Sequence, residues 1–212
     1  MTGSAEVNLQ SSPRPGVFLD RDGTVIEERN YLSRPEDVVL LPTAGETIAR
    51  LNSLGIAVAV VTNQAGIARG YFPESQIAVV HARLDELLAE FGAKIDGYKY
   101  CPHHPLAGLG EYRIDCDCRK PKPGMLIRSA AALKIDLTRS LMVGDRLGDL
   151  QAGATAGCQS ALVRTGYGAS EPLDFDSETL RFLGVFSSLR DAVDAWLKSA
   201  NQTDLEQILP VH

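Results

Sequence analysis

No apolar stretch of the 212-residue chain approaches the roughly 20 residues needed to cross a bilayer. The longest pure run, "IAVAVV" from Ile56 to Val61, has the length of a buried strand. Basic charge is also short. Twenty-one Lys and Arg stand against 27 Asp and Glu, a net charge of −6, which speaks against an extended nucleic-acid-binding face. The opening sixteen residues, "MTGSAEVNLQSSPRPG", lack the apolar centre of a secretory signal and read as a loose polar arm, so a soluble cytoplasmic protein is expected. Cysteine is scarce, with four in all. In a reducing compartment Cys101, Cys116, Cys118 and Cys158 are expected as thiols or metal ligands rather than disulfides. Internal repeats and low-complexity tracts are absent too.

Short apolar runs alternate with segments of helical period, the pattern of a mainly parallel sheet between helices. Strands are expected at Val17–Leu19, Ile56–Val61, Gly97–Tyr100, Leu141–Val143 and Ala161–Val163, with a weaker sixth at Leu183–Phe186. Helices are expected at Ala44–Leu54, Pro73–Phe91, Pro123–Leu133, Leu147–Ala156 and Leu189–Lys198. In the second, Ile77, Val80, Leu84, Leu87, Leu88 and Phe91 share one face. The lone tryptophan, Trp196, falls on the apolar stripe of the last helix and reads as packing. Ligands of open parallel sheets bind beyond the carboxyl ends of the strands. Asp20, Thr62-Asn63-Gln64, Cys101 and Gly144-Asp145 stand at such ends.

The stretch "VFLDRDGTVIEERNY" places two aspartates two residues apart after an apolar strand. Strand alternation puts Asp20 and Asp22 on one side and turns Arg21 away, while Gly23 permits a turn that Thr24 can cap. Two carboxylates facing one pocket suit a hard cation such as Mg2+. Asp145 in "LMVGDRLGD" can supply a third, and Asp149 can support it from the next helical turn. In that setting Asp20 is placed to attack phosphorus. Asp22 is placed to protonate the departing alcohol and then to take a proton from the hydrolytic water. Thr62, the Asn63 amide and a lysine of "CRKPKPG" are the donors for the phosphoryl oxygens. Spacing does not choose between Lys120 and Lys122.

The segment "CPHHPLAGLGEYRIDCDC" interrupts the alternation with C-x-H, twelve residues, then C-x-C. Three sulfurs and one imidazole, from Cys101, His103, Cys116 and Cys118, make a closed tetrahedral Zn2+ site that orders a loop and leaves no open position for water. His104 is the competing histidine. Cys158 lies apart and reads as a small buried residue.

"FLDRDGTVI", "VVTNQ", "RKPKPG" and "VGDRLGD" together resemble, in order, the four motifs of the haloacid dehalogenase superfamily of phosphohydrolases, over Val17 to about Gly168. The resemblance implies a Rossmann-like three-layer α/β sandwich with a mainly parallel sheet and a small or absent cap. It makes Asp20 the nucleophile and Asp22 the acid/base, with Mg2+ held by Asp20, Asp22 and Asp145. A zinc loop at this position is similar to that of the histidinol-phosphate phosphatase-like branch. The twelve-residue spacer and "TNQAGIARGYF" look like its heptose-bisphosphate members. The implied reaction removes the 7-phosphate of D-glycero-D-manno-heptose 1,7-bisphosphate, with histidinol phosphate or a broad range of small phosphates as the alternative. The substrate contacts it implies are Glu28, Arg29, Asn30, Tyr31, Thr62, Asn63, Gln64, Ala65, Arg119 and Lys120. Lys120 neutralises the phosphoryl group and Arg119 reads the second phosphate through its bidentate fork. Arg146 stands where relatives often carry lysine. The expected organisation is an arm at 1–16, one phosphatase domain at 17–200 with its zinc loop at 101–118, and a polar tail at 201–212. The expected partner is a small sugar bisphosphate, with neither nucleic acid nor membrane, and the expected state a monomer or weak oligomer.

Overall fold

Six short strands, each long enough to cross one layer, assemble into a single parallel sheet in the computed structural model, which describes residues 12–174, 176 and 179–203. The strands are β1 (Gly16–Leu19), β2 (Ala57–Asn63), β3 (Gly97–Cys101), β4 (Leu141–Gly144), β5 (Gln159–Val163) and β6 (Phe182–Phe186), in the spatial order β3-β2-β1-β4-β5-β6. Every ladder is parallel, so each crossover must pass over a face of the sheet, and helices fill both faces. These are α1 (Ala44–Ser53), a single turn α2 (Ala65–Ala68), α3 (Gln76–Ala89), α4 (Gly124–Leu133), α5 (Leu147–Ala156) and α6 (Leu189–Thr203).

Period-2 alternation divides the core between the faces. Val17, Leu19, Val58 and Val60 point to one side and pack with Ile48, Leu84, Val193 and Trp196 of α1, α3 and α6. Phe18, Ala57, Ala59 and Val61 point to the other and pack with Met125, Leu126 and Ala152 of α4 and α5. The fold is the Rossmann-like three-layer α/β sandwich. None of the described helices is long and apolar enough to cross a membrane.

Three elements differ from their expected form. Helix α3 starts at Gln76 and stops at Ala89, so Phe91 lies beyond its end and packs against Gly45 of α1 instead of extending the helical stripe. Residues 1–11 of the expected arm lie outside the described residues, and the end of the arm is already paired with the body of the fold. Arg14 N donates to Lys134 O at 3.0 Å, and β1 begins at Gly16. At the other end α6 runs to Thr203, and residues 204–212 of the expected tail lie outside the described residues. The segment beyond Gly168 supplies the edge strand β6 and the helix α6.

Candidate active site

The carboxyl ends of β1, β2 and β4 meet because their registers align. Leu19 lies opposite both Val60 and Val143. Asp20 follows directly, its N–H donating to Val143 O at 2.9 Å, with Thr62 and Asn63 on one flank and Asp145 on the other. The chain then turns at Gly23, whose φ of +79° favours glycine. A Cβ there would lie 2.2 Å from Asp145 Oδ2, and one on Gly166 2.3 Å from the same oxygen, so two glycines admit this carboxylate between the loops. The strand ends and the loop after β1 enclose a pocket of about 300 Å³.

The lysine chosen by the fold is Lys120. Its buried Nζ lies 2.7 Å from Asp20 Oδ1, 2.6 Å from Asp149 Oδ1 and 2.7 Å from Val61 O. Asn63 holds the lysine's main chain, donating to Lys120 O at 3.0 Å and accepting from Lys120 N at 3.1 Å. The Asn63 amide expected at the phosphoryl oxygens is therefore already committed through its oxygen and one of its two N–H donors. Lys122 instead pairs with exposed Asp115 at 2.6 Å.

Asp20, Asp145 and Asp149 form a buried carboxylate cluster whose oxygens lie within 4.8 Å of one another. Asp149 is in this cluster, and Asp22, the third acid expected around the metal, is not. Three carboxylates facing one ammonium leave an excess of two negative charges. Burial pushes the Asp20 carboxyl up to about 8, opposed by Lys120 and reinforced by Asp149, Asp145 and Asp22. Burial and then Asp149 push Asp145 up to about 7. Asp145 Oδ2 accepts from Tyr167 N at 2.8 Å, whereas its buried Oδ1 has no hydrogen-bond partner. An all-oxygen donor set with surplus negative charge and an unpartnered buried oxygen fits a hard divalent cation.

Asp22 is held elsewhere. Arg21, expected to point away, folds back and is fully buried, with Nη2 donating to Asp22 Oδ1 at 3.0 Å and Nε to Oδ2 at 3.1 Å. Gln64 Nε2 donates to Asp22 Oδ2 at 2.9 Å and to Thr62 Oγ1 at 2.8 Å. The Thr62 oxygen is thus an acceptor already, and its own proton is directed at Asp22 Oδ2 over a long 3.5 Å, a contact weak enough to yield to a phosphoryl oxygen.

Of the other expected contacts, Glu28, Asn30, Tyr31, Ala65 and Arg119 line the pocket. Arg29 does not. It pairs with Glu27 at 2.5 Å, on the exposed side of the loop. Asn30 and Tyr31 both adopt left-handed φ (45° and 60°), a conformation that costs non-glycine residues about 1 kcal/mol or more each. Glu28 accepts from Asn30 N at 2.6 Å, and the Tyr167 hydroxyl donates to Asn30 Oδ1 at 2.6 Å. Arg69, His104, Arg146 and Tyr167 also line the pocket, and the sequence pattern assigned them no place there. Arg146 sits 3.6 Å over the Tyr167 ring. Its position beside Asp145 was the available signal. Arg69 follows Ala65 by about one helical turn, and Tyr167 had no signal at all.

Beside the pocket, Cys101 at the end of β3 and His103, Cys116 and Cys118 in the loop after it gather with their ligand atoms within 4.8 Å of one another. The sulfurs are 3.0–3.4 Å apart, and His103 Nδ1 lies 3.5 Å from Cys118 Sγ. A tetrahedron with metal–sulfur bonds of about 2.3 Å has edges of about 3.8 Å, so a small outward movement seats an ion and the set is compatible with zinc. His104 stays outside, its Nδ1 accepting from Leu106 N and Ala107 N. Three links tie this cluster to the pocket: Gln64 N to Cys101 O at 2.8 Å, Arg119 Nη1 to His103 O at 3.1 Å, and the direct run Cys118-Arg119-Lys120.

An anionic ester entering this pocket would meet arginines at its rim and, below them, a lysine among carboxylates that can hold a divalent ion, which is the working surface of a phosphohydrolase. Residues 117–192 match the family model described as HAD-hydrolase-like. The chain is 42% identical over 178 residues to a D-glycero-beta-D-manno-heptose-1,7-bisphosphate 7-phosphatase of Photorhabdus laumondii, covering 84% of this chain and 92% of that protein. It is 46% identical over 151 residues to a protein of the same name from Haemophilus influenzae, covering 71% and 82%. A solved structure of D,D-heptose 1,7-bisphosphate phosphatase from B. bronchiseptica, complexed with magnesium and phosphate, matches at a TM-score of 0.73 and 33% identity over 88% of this chain and 99% of that one. The chain belongs to the HAD-like hydrolase family, as a phosphoric monoester hydrolase.

Proposed function

We propose that the chain removes the 7-phosphate of D-glycero-β-D-manno-heptose 1,7-bisphosphate through an aspartyl-phosphate on Asp20. The observation that carries this reading is the buried Lys120, which bridges Asp20 and Asp149 beneath a pocket bordered by Arg69, Arg119 and Arg146. A substrate with two phosphates needs one to react at depth and one to be held at the rim. Similarity to proteins named for that bisphosphate supports the choice.

Lys120 occupies Asp20 Oδ1 and leaves Oδ2 to attack phosphorus in line with the departing sugar oxygen. The Thr62 hydroxyl and the Lys120 ammonium donate to the phosphoryl oxygens, and Asp22 supplies the proton that the leaving oxygen needs. Water then attacks the aspartyl-phosphate, and Asp22 recovers its proton from that water. Asp20, Asp145 and Asp149 would hold Mg2+, which when bound screens the phosphate charge from the carboxylates. Cys101, His103, Cys116 and Cys118 would hold Zn2+ as a structural ion.

The test is phosphate release, with Mg2+ present, from the β and α anomers of the heptose bisphosphate and from histidinol phosphate, with Asp20→Asn as the control. The β anomer is expected to lead in kcat/KM by about 100-fold, a difference of about 2.7 kcal/mol, and the control to be inactive. Preference for histidinol phosphate would overturn the substrate, and an active Asp20→Asn enzyme would overturn the mechanism.

A further inference from the structure

The residue between the two aspartates is the one whose burial the reaction scheme has not used. Arg21 has no solvent exposure, and it forms an ion pair with Asp22 at 2.9 Å. Its Nη2 lies 3.0 Å from Oδ1 and 2.9 Å from Oδ2, its Nε 3.3 Å and 3.1 Å from the same oxygens, and its Nη1 is buried without a partner. Burying a guanidinium is expensive in desolvation, and an apolar side chain of the same volume would fill the space at least as well. A need for packing alone therefore does not account for it.

We propose that Arg21 is the positioning residue of the acid/base carboxylate. Two N–H donors carried by one rigid guanidinium and shared between both oxygens restrain the plane of a carboxylate in a way that one ammonium cannot. With that plane fixed, the Gln64 amide on Oδ2 sets which edge faces the pocket, and the same amide aligns Thr62. A proton can pass from Asp22 to a leaving oxygen only within about 2.6–3.2 Å, so a carboxylate free to rotate would lose most of its effect. This inference rests on the phosphatase reading above. In the first step the Asp20–phosphorus bond forms, the phosphorus–oxygen bond to the leaving group breaks, and the Asp22 proton goes to that oxygen. In the second, water adds to phosphorus and gives its proton to Asp22, and the Asp20–phosphorus bond breaks to release inorganic phosphate.

The leaving group separates positioning from packing. p-Nitrophenolate departs without a proton, whereas an alkoxide needs one. In Arg21→Met, kcat/KM for an alkyl phosphate turned over by the wild type is expected to fall about 100-fold, and for p-nitrophenyl phosphate less than about threefold. Arg21→Lys, which keeps the buried charge but loses the fork, should fall in between on the alkyl ester. Equal losses on both esters, or none on the alkyl ester, would overturn the proposal. If Arg21→Met does not fold, a crystal structure of the wild type with Mg2+ and inorganic phosphate decides. Asp22 still gripped by both Arg21 donors upholds the proposal, and Asp22 rotated off them overturns it. Neither ester is a heptose, so an error in the sugar assignment leaves this test intact. A wild type inactive on every ester overturns both readings.

Discussion

At the scale of single residues, burial decides which groups titrate. His81 of α3 is stacked on Tyr98, with ring centroids 4.2 Å apart, and its Nε2 is buried without a partner. Burial, followed by the charge of Arg21 and against the pull of Asp22, pushes its imidazole down to about 3 from an ordinary 6.5. The unfolded chain thus binds a proton below pH 6.5 that the folded chain refuses until about pH 3. Stability from the neutral ring is complete above the upper value and is lost as pH falls through this window. Melting temperatures taken between about pH 7 and about pH 4 should drop less steeply in His81→Phe than in the wild type. An unchanged slope would show that His81 does not titrate as buried.

At the scale of elements, the loop after β3 is expected to depend on the zinc proposed for it. Cys101 and Cys118 are buried against Met125 and Leu126, and Arg119 and Lys120 follow Cys118 without a spacer. Removing zinc with a chelator should raise hydrogen exchange across residues 101–120 while β1 and β4 stay protected, and should lower kcat about 10-fold or more. Exchange that does not change in the loop would mean that the four side chains do not hold the metal. This loop was legible in the sequence because paired ligands one residue apart have few other uses. The central strands were legible because buried parallel strands are continuous apolar runs. Helix α2 was not legible, since four residues show no period, and neither was the strand order, which depends on crossovers and not on any one segment. In the site, spacing left Lys120 and Lys122 open and only the family resemblance favoured Lys120, whereas the aspartates stood out by position. The inward turn of Arg21 did not, because the chain leaves the extended form at the residue where alternation was applied. Nor did the partnership of Asp149 with Lys120, which the helix geometry of α5 creates.

At the scale of the whole molecule, a chain of net charge −6 must admit a multiply charged anion. The arginines at the pocket rim oppose that field locally, and salt weakens both. Raising ionic strength from about 50 mM to about 300 mM should lower kcat/KM for the sugar bisphosphate more steeply than for p-nitrophenyl phosphate. Equal slopes would mean that the rim does not read the second phosphate. Beneath the rim, the three protons of the Lys120 ammonium meet three acceptors: Asp20, Asp149 and the carbonyl of Val61. In the proposed reaction Asp20 surrenders its charge as it becomes bonded to phosphorus, at the moment when the phosphoryl oxygens need a donor. Lys120 then behaves as a clutch, releasing the aspartate and engaging the phosphoryl group while its number of bonds stays at three. The surrounding scaffold need not move for the load to be transferred.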